Sequence, residues 1–301
     1  MIAPKSPGAL LRSLRVARRL SQEELAHRAA ISPRHLSCLE TGRAYPSHAM
    51  LLVLGSALNL PLRSRNILMI AAGFAPIYED LSWDDPAMER VTQAIEHILT
   101  RQEPHPAMVL DRFHNVLKFN QGAAALFAWT GVRFPSGAAP NAVRAIFDQS
   151  YGLRDCIVGF EGLARETLAR LRTEADVDPG LGDFVAEMER LCGKSRKPDD
   201  GGANNLVALP IHFKRGATDL RYFLTITTLG TPLDVTAQEL RIESYFPMDA
   251  ETEAFGKRAA SKLRLIWAGR ANWGRDLRRV QARASKMEII ASRNCLESSS
   301  G

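Results

Sequence analysis

The sequence predicts a multidomain chain, with an all-α head of five helices followed by an α+β body carrying a five-stranded antiparallel sheet. Three observations carry this. Helical spacing and capping residues punctuate the first 73 residues without a break. From Ala107 onward short apolar runs alternate with turn residues, and three further strand-like runs follow residue 205. The charge also changes sign along the chain. Residues 1–76 carry 10 basic and 3 acidic side chains (net +7), residues 77–253 carry 18 and 27 (net −9), and residues 254–301 carry 11 and 3 (net +8). The overall +6 therefore hides a basic head and an acidic body, which suit different partners. The predicted boundaries are 1–73 for the head, 74–103 for a connecting helix, 104–250 for the body and 251–301 for a basic, partly helical or disordered tail.

In the head, Leu10, Leu11, Leu14 and Ala17 recur at helical spacing between arginines. Ser21 with Glu24 three residues on is a capping box opening a second helix with Leu25, Ala26 and Ala29. Ser32-Pro33 places an N-cap before a proline at the first helical position, Leu36 and Leu39 follow, and Gly42 ends the helix. Ser47 opens a fourth helix with Leu51, Leu54, Ala57 and Leu58. Pro61 opens a fifth with Ile67, Leu68, Ile70 and Ala71, ended by Gly73.

Two short helices joined by a tight turn make a helix-turn-helix. The stretch LSQEELAHRAAISPRHLSCLETGRAYPS resembles the DNA-binding domain of XRE-type, phage-repressor-like regulators over residues 8–73. Ala30 departs from that pattern, standing in the turn where the family often has Gly. The resemblance implies that the third helix reads double-stranded DNA. Pro33, Arg34, Ser37 and Cys38 occupy base-facing positions, with His35 beside them. Arg34 can pair with a guanine edge in bidentate fashion. Gln22, Ser32 and Arg43 are phosphate candidates. Arg15 and Glu40 match a structural ion pair of the family.

Behind the head, Asp84-Asp85-Pro86 starts a helix with Met88, Val91, Ile95, Ile98 and Leu99 on one face, and Pro104 and Pro106 end it. Residues 107–110 and 116–119 read as a hairpin, and Asn120 caps a helix through Phe127. Helical periodicity returns at 141–147, 159–174 and 181–191. Residues 195–205 are loop-like, and strands are expected at 206–213, 220–229 and 240–246. This order resembles a PAS-like domain and, more closely, the MmyB-like ligand-binding domain found behind XRE-type heads, over about residues 74–250. That resemblance implies a hydrophobic pocket for a small apolar, fatty-acid-like effector. Candidate lining residues are Phe113, Phe119, Phe127, Trp129, Phe147, Phe160 and Phe223.

The four cysteines, Cys38, Cys156, Cys192 and Cys295, form no CxxC pair, and His105, His114 and His212 are dispersed. No metal site, resident cofactor or disulfide is expected. No nucleophile elbow, zinc-protease motif or phosphate-binding glycine loop occurs, so no catalytic residue is assigned and the chain is not expected to be an enzyme. Apolar runs are too short to span a bilayer, and arginines interrupt the N-terminal stretch, which predicts a cytoplasmic chain. The expected partners are double-stranded DNA, a small apolar effector and a second copy of the chain, with no membrane. The rival reading is an antitoxin-like or other protein-interaction module with a DNA-binding head. A basic tail could add nonspecific DNA contact.

Overall fold

The computed structural model describes residues 6–135, 139–193, 210–230 and 232–267. Among these the chain divides into two compact units. The first holds the residues up to 88 together with 169–185 and 229–239, and the second holds the rest.

The head comprises α1 (Pro7–Ala17), α2 (Gln22–Arg28), α3 (Pro33–Thr41), α4 (His48–Ala57) and α5 (Leu62–Ala71). The capping expectations are met in atomic detail. The Ser21 hydroxyl accepts the Glu24 N–H, while the Glu24 carboxylate accepts the Ser21 N–H at 2.7 Å. Ser32 and Ser47 cap α3 and α4, and Gly42 is left-handed at φ +75°. Leu11, Leu14, Leu25, Leu36, Leu39, Leu51, Leu54, Leu58, Leu68 and Met69 form the core. Each such side chain contributes about 1.5–3 kcal/mol by leaving water.

Three of the apolar residues expected on the buried faces of the head do not face this core. Ala17, Ile67 and Ile70 lie on the surface. The reason on α5 is polar. Its buried positions include Ser64 and Asn66. The Asn66 amide oxygen accepts the Ile77 and Tyr78 N–H groups, and its nitrogen donates to the Tyr78 carbonyl. Hydrogen bonds to the following segment thus decide which face of α5 is covered, and the isoleucines turn outward.

A 3₁₀ turn, Pro86–Met88, leads into α6 (Glu89–Arg101), with the Asp85 carboxylate capping it through the Ala87 N–H. Met88, Ile95 and Leu99 are buried; Ile98, expected beside them, is exposed. Then come β1 (Ala107–Leu110), β2 (Val116–Phe119), α7 (Gln121–Thr130), α8 (Ala142–Phe147), α9 (Phe160–Val177) and α10 (Gly182–Cys192). They are followed by β3 (Pro210–Arg215), β4 (Thr218–Thr227), α11 (Val235–Glu239), β5 (Arg241–Pro247) and α12 (Ala250–Trp267). The expected loop at 195–205 and the start of the expected strand at 206–209 lie outside the described residues.

The sheet order is β2-β1-β5-β4-β3, with every neighbouring pair antiparallel. The last strand is therefore central, holding the two hairpins together. Asn120 ties the first hairpin to its helices. Its amide oxygen accepts the Ala107 and Ala123 N–H groups, each at 2.9 Å, and its nitrogen donates to the Leu99 and His105 carbonyls. The first turns of α12 also belong to the packed body, not to a tail beginning at 251. Thr252 is fully buried and accepts the Arg221 N–H, and Phe255 meets Trp129 edge to face at 5.6 Å. Residues 268–301, with the proposed tail contacts, lie outside the described residues.

Candidate nucleic-acid interface and effector core

The connection from α2 to α3 is set by one left-handed residue. Ala30 has φ +52°, and the Ala30 and Ile31 N–H groups return to His27 and Ala26 carbonyls at 3.1 and 3.0 Å. A side chain here costs about 1 kcal/mol relative to glycine. The flanking caps and the buried Leu25, Ala26, Ala29 and Leu36 hold the turn regardless.

This geometry leaves one end of α3 open. Ser32, Pro33, Arg34 and His35 are exposed, Ser37 and Cys38 are half-buried, and Arg43 is exposed just past the helix. Pro33 has no N–H, the His35 N–H goes to the Ser32 hydroxyl at 3.1 Å and the Leu36 N–H to the Ser32 carbonyl, so the Arg34 N–H and the dipole of α3 are what favour an anion there. Gln22 does not stand free at the start of α2. Its amide nitrogen donates to Glu40 at 2.7 Å. Arg15 grips the same carboxylate with two bonds, at 2.6 and 2.9 Å, and donates a third to the Leu20 carbonyl. Burial alone raises the Glu40 carboxyl, but the bonds from Arg15 and Gln22 outweigh it and hold the group below its ordinary range. The resemblance-based ion pair is thus present, and it links α1, α2 and α3. Tyr45, two residues beyond Arg43, is 68% exposed.

In the body, strand alternation sorts the candidate lining residues. Leu220 and Tyr222 are fully buried on one face of β4, paired with Phe213 and Ile211 of β3. Phe223 points to the opposite face, with the exposed Arg221 and Thr225, and stacks on Phe246 at 5.1 Å. Phe223, expected among the lining residues, therefore lies on the other side of the sheet from Leu220 and Tyr222, where the period of two places it. Phe119 and Phe127 are buried and meet edge to face at 6.0 Å. The contact continues through Phe134 to Tyr151, two aromatics the sequence reading did not select. Phe147 and Phe160 form a separate buried pair at 6.2 Å. Phe113 and Trp129 are half-buried, the first under the Arg112 guanidinium and the second against α12. The inner face also carries polar atoms. The Tyr245 hydroxyl reaches the buried Glu243 carboxylate at 3.4 Å, and the Tyr222 hydroxyl has no hydrogen-bond partner among the described residues. Burial pushes the Tyr222 hydroxyl far above its ordinary pKa, so it remains a neutral donor.

Among the described residues no group of three or more His, Cys, Asp or Glu is placed to hold a metal ion, and Cys38, Cys156 and Cys192 are unpaired. No described helix is long and apolar enough to cross a membrane.

Comparison with known proteins adds two family matches. A helix-turn-helix domain matches residues 8–66, and the MmyB-like transcription regulator ligand binding domain matches residues 91–258. The second match runs into α12, past the end of the resemblance read from sequence, and begins within α6. No protein of curated function is significantly similar in sequence. Among solved structures, an RNA-binding light-oxygen-voltage receptor is similar at 11% identity and a TM-score of 0.24, over 86% of this chain and 63% of that one. A likeness at that level carries no argument. The capped helix-turn-helix, the five-stranded α+β body and the two matches agree. The chain belongs to the family of transcription regulators with an MmyB-like ligand-binding domain, carried behind an N-terminal helix-turn-helix.

Proposed function

We propose that this regulator binds specific double-stranded DNA through α3 and responds to a small apolar, fatty-acid-like effector in its body. The observation that carries the reading is the exposed, basic N-terminal end of α3, set by a capped turn in a segment of net charge +7. Pro33, Arg34, His35, Ser37 and Cys38 would face base edges. Ser32 and Arg43 would contact phosphates, and Gln22 would do so through the part of its amide that Glu40 leaves free. Two copies would place two recognition helices about 34 Å apart on half-sites. In the body, the buried aromatics Phe119, Phe127, Phe147 and Phe160 would supply apolar lining, with Phe113 and Trp129 at its margin. The Tyr222 hydroxyl is a polar atom that an effector could satisfy. The reading needs no resident cofactor and no catalytic residue, and it places the chain in the cytoplasm with its DNA.

Native mass spectrometry of full-length protein tests the effector. The expected spectrum shows a small apolar adduct, or one that forms on adding oleate and raises the melting temperature. A chain that carries no adduct and ignores oleate and palmitate contradicts the fatty-acid-like assignment.

A further inference from the structure

Within the first compact unit, residues 234–239 lie on α5 and on residues 79–81, and the contact is almost entirely polar. Pro61 gives α5 no side-chain cap. Instead, the Gln238 amide oxygen accepts the Leu62 N–H at 2.6 Å, from 176 residues away. Arg63 grips two carboxylates at once, Glu239 at 2.7 and 2.9 Å and Asp80 at 2.6 and 2.9 Å. The Asp234 carboxylate accepts the Leu81 N–H at 3.0 Å with one oxygen and caps α11 through Ala237 with the other. The Val235 N–H donates to the Glu79 carbonyl, and the Thr236 hydroxyl donates to Asp80.

Three features of this contact bear on whether it can release. First, the Asp80 end of its ion-pair network is open to water, with a side chain 47% exposed against 27% for Arg63 and 16% for Glu239, so the Asp80 pair is the cheap one to break. Its apolar part is small, chiefly Val235 and Ala237. Second, α11 has five residues, too few to be helical alone, so docking and helix formation come together. Third, Glu239 is followed directly by the buried Leu240 and then by β5, the central strand that carries Glu243 and Tyr245. Only Leu240 separates the docked segment from β5 along the chain.

We propose that residues 234–239 form a latch that docks on α5 and undocks as one unit, and that its state sets the affinity of the head for DNA. The second half of this proposal rests on the reading of the chain as a DNA-binding regulator. The first half stands on the contact alone.

The test is amide hydrogen exchange on full-length Arg63→Ala, with Glu239→Gln as a milder second variant. The Leu81 and Val235 amides bond to neither substituted side chain, so they report undocking and not a local loss. The latch predicts that Leu62, Leu81 and Val235 all exchange about tenfold faster in either variant, while core amides such as Leu39 keep their protection. Unchanged exchange at Leu81 and Val235 in both variants overturns the latch. Affinity for the DNA sequence selected by the wild-type chain is then compared, with a shift of about fivefold or more expected. Faster exchange with unchanged DNA affinity overturns the regulatory role. A wild-type chain that selects no DNA sequence contradicts the DNA-binding reading instead, and the exchange result still decides whether the latch exists.

Discussion

Glu40 concentrates the chemistry of the head in one carboxylate. Its side chain is 1% exposed and meets donors from α1 and α2. Removing the charge leaves the Arg15 guanidinium buried and underpaired, the costly half of such a pair. The sign of the pH dependence follows from the direction of the shift. The folded carboxyl is held below its ordinary range, so its contribution is present above about pH 4 and is lost as pH falls through the lower folded value. Glu40→Gln should therefore destabilise the chain at neutral pH, and the difference from wild type should shrink on acidification. Urea unfolding at a series of pH values measures this, and a difference that stays constant would contradict the ion-pair account. The pair was legible in the sequence only through family resemblance, because nothing in local spacing joins residues 15 and 40. Its third member, the Gln22 amide, was read only as a phosphate candidate, since a sequence does not show that its nitrogen also donates to Glu40.

At the scale of elements, caps and periodicity carried most of the fold. Ser21, Ser32, Ser47, Asn120 and Asn141 all cap the helices they precede. Asn120 does more than a cap requires, since it also bonds to the start of β1 and to the end of α6. Asn120→Ala should cost about 3 kcal/mol, combining a lost cap with buried groups left unpaired, and urea unfolding checks it. A cost near that of a simple cap, about 1 kcal/mol, would show that water replaces the other bonds. What the sequence did not show was how elements turn. The α5 isoleucines were read as core, yet Asn66 and the residues it binds cover that helix from its polar side. Phe223 was read with the inner lining, yet the register pairs it with Phe246 on the far side. Apolar identity is local, while the face an element buries depends on partners distant in the chain. The latch residues are the clearest case, because Arg63 and Glu239 are 176 positions apart.

For the molecule as a whole, charge and architecture agree. The basic first 76 residues suit a polyanion, and the acidic stretch behind them, at net −9, suits no direct contact with one. Ligand and DNA can influence one another only through states that differ in affinity for both, and the latch is the element proposed to separate those states. The central claim is that the exposed end of α3 reads DNA sequence. Selection from random duplexes with the purified full-length protein tests it most directly. The predicted result is an enriched site with two related halves about one helical turn apart, with Arg34→Ala losing preference at one base pair in each half. Recovery of no enriched sequence, or the same enriched base at every position with Arg34→Ala, would contradict it.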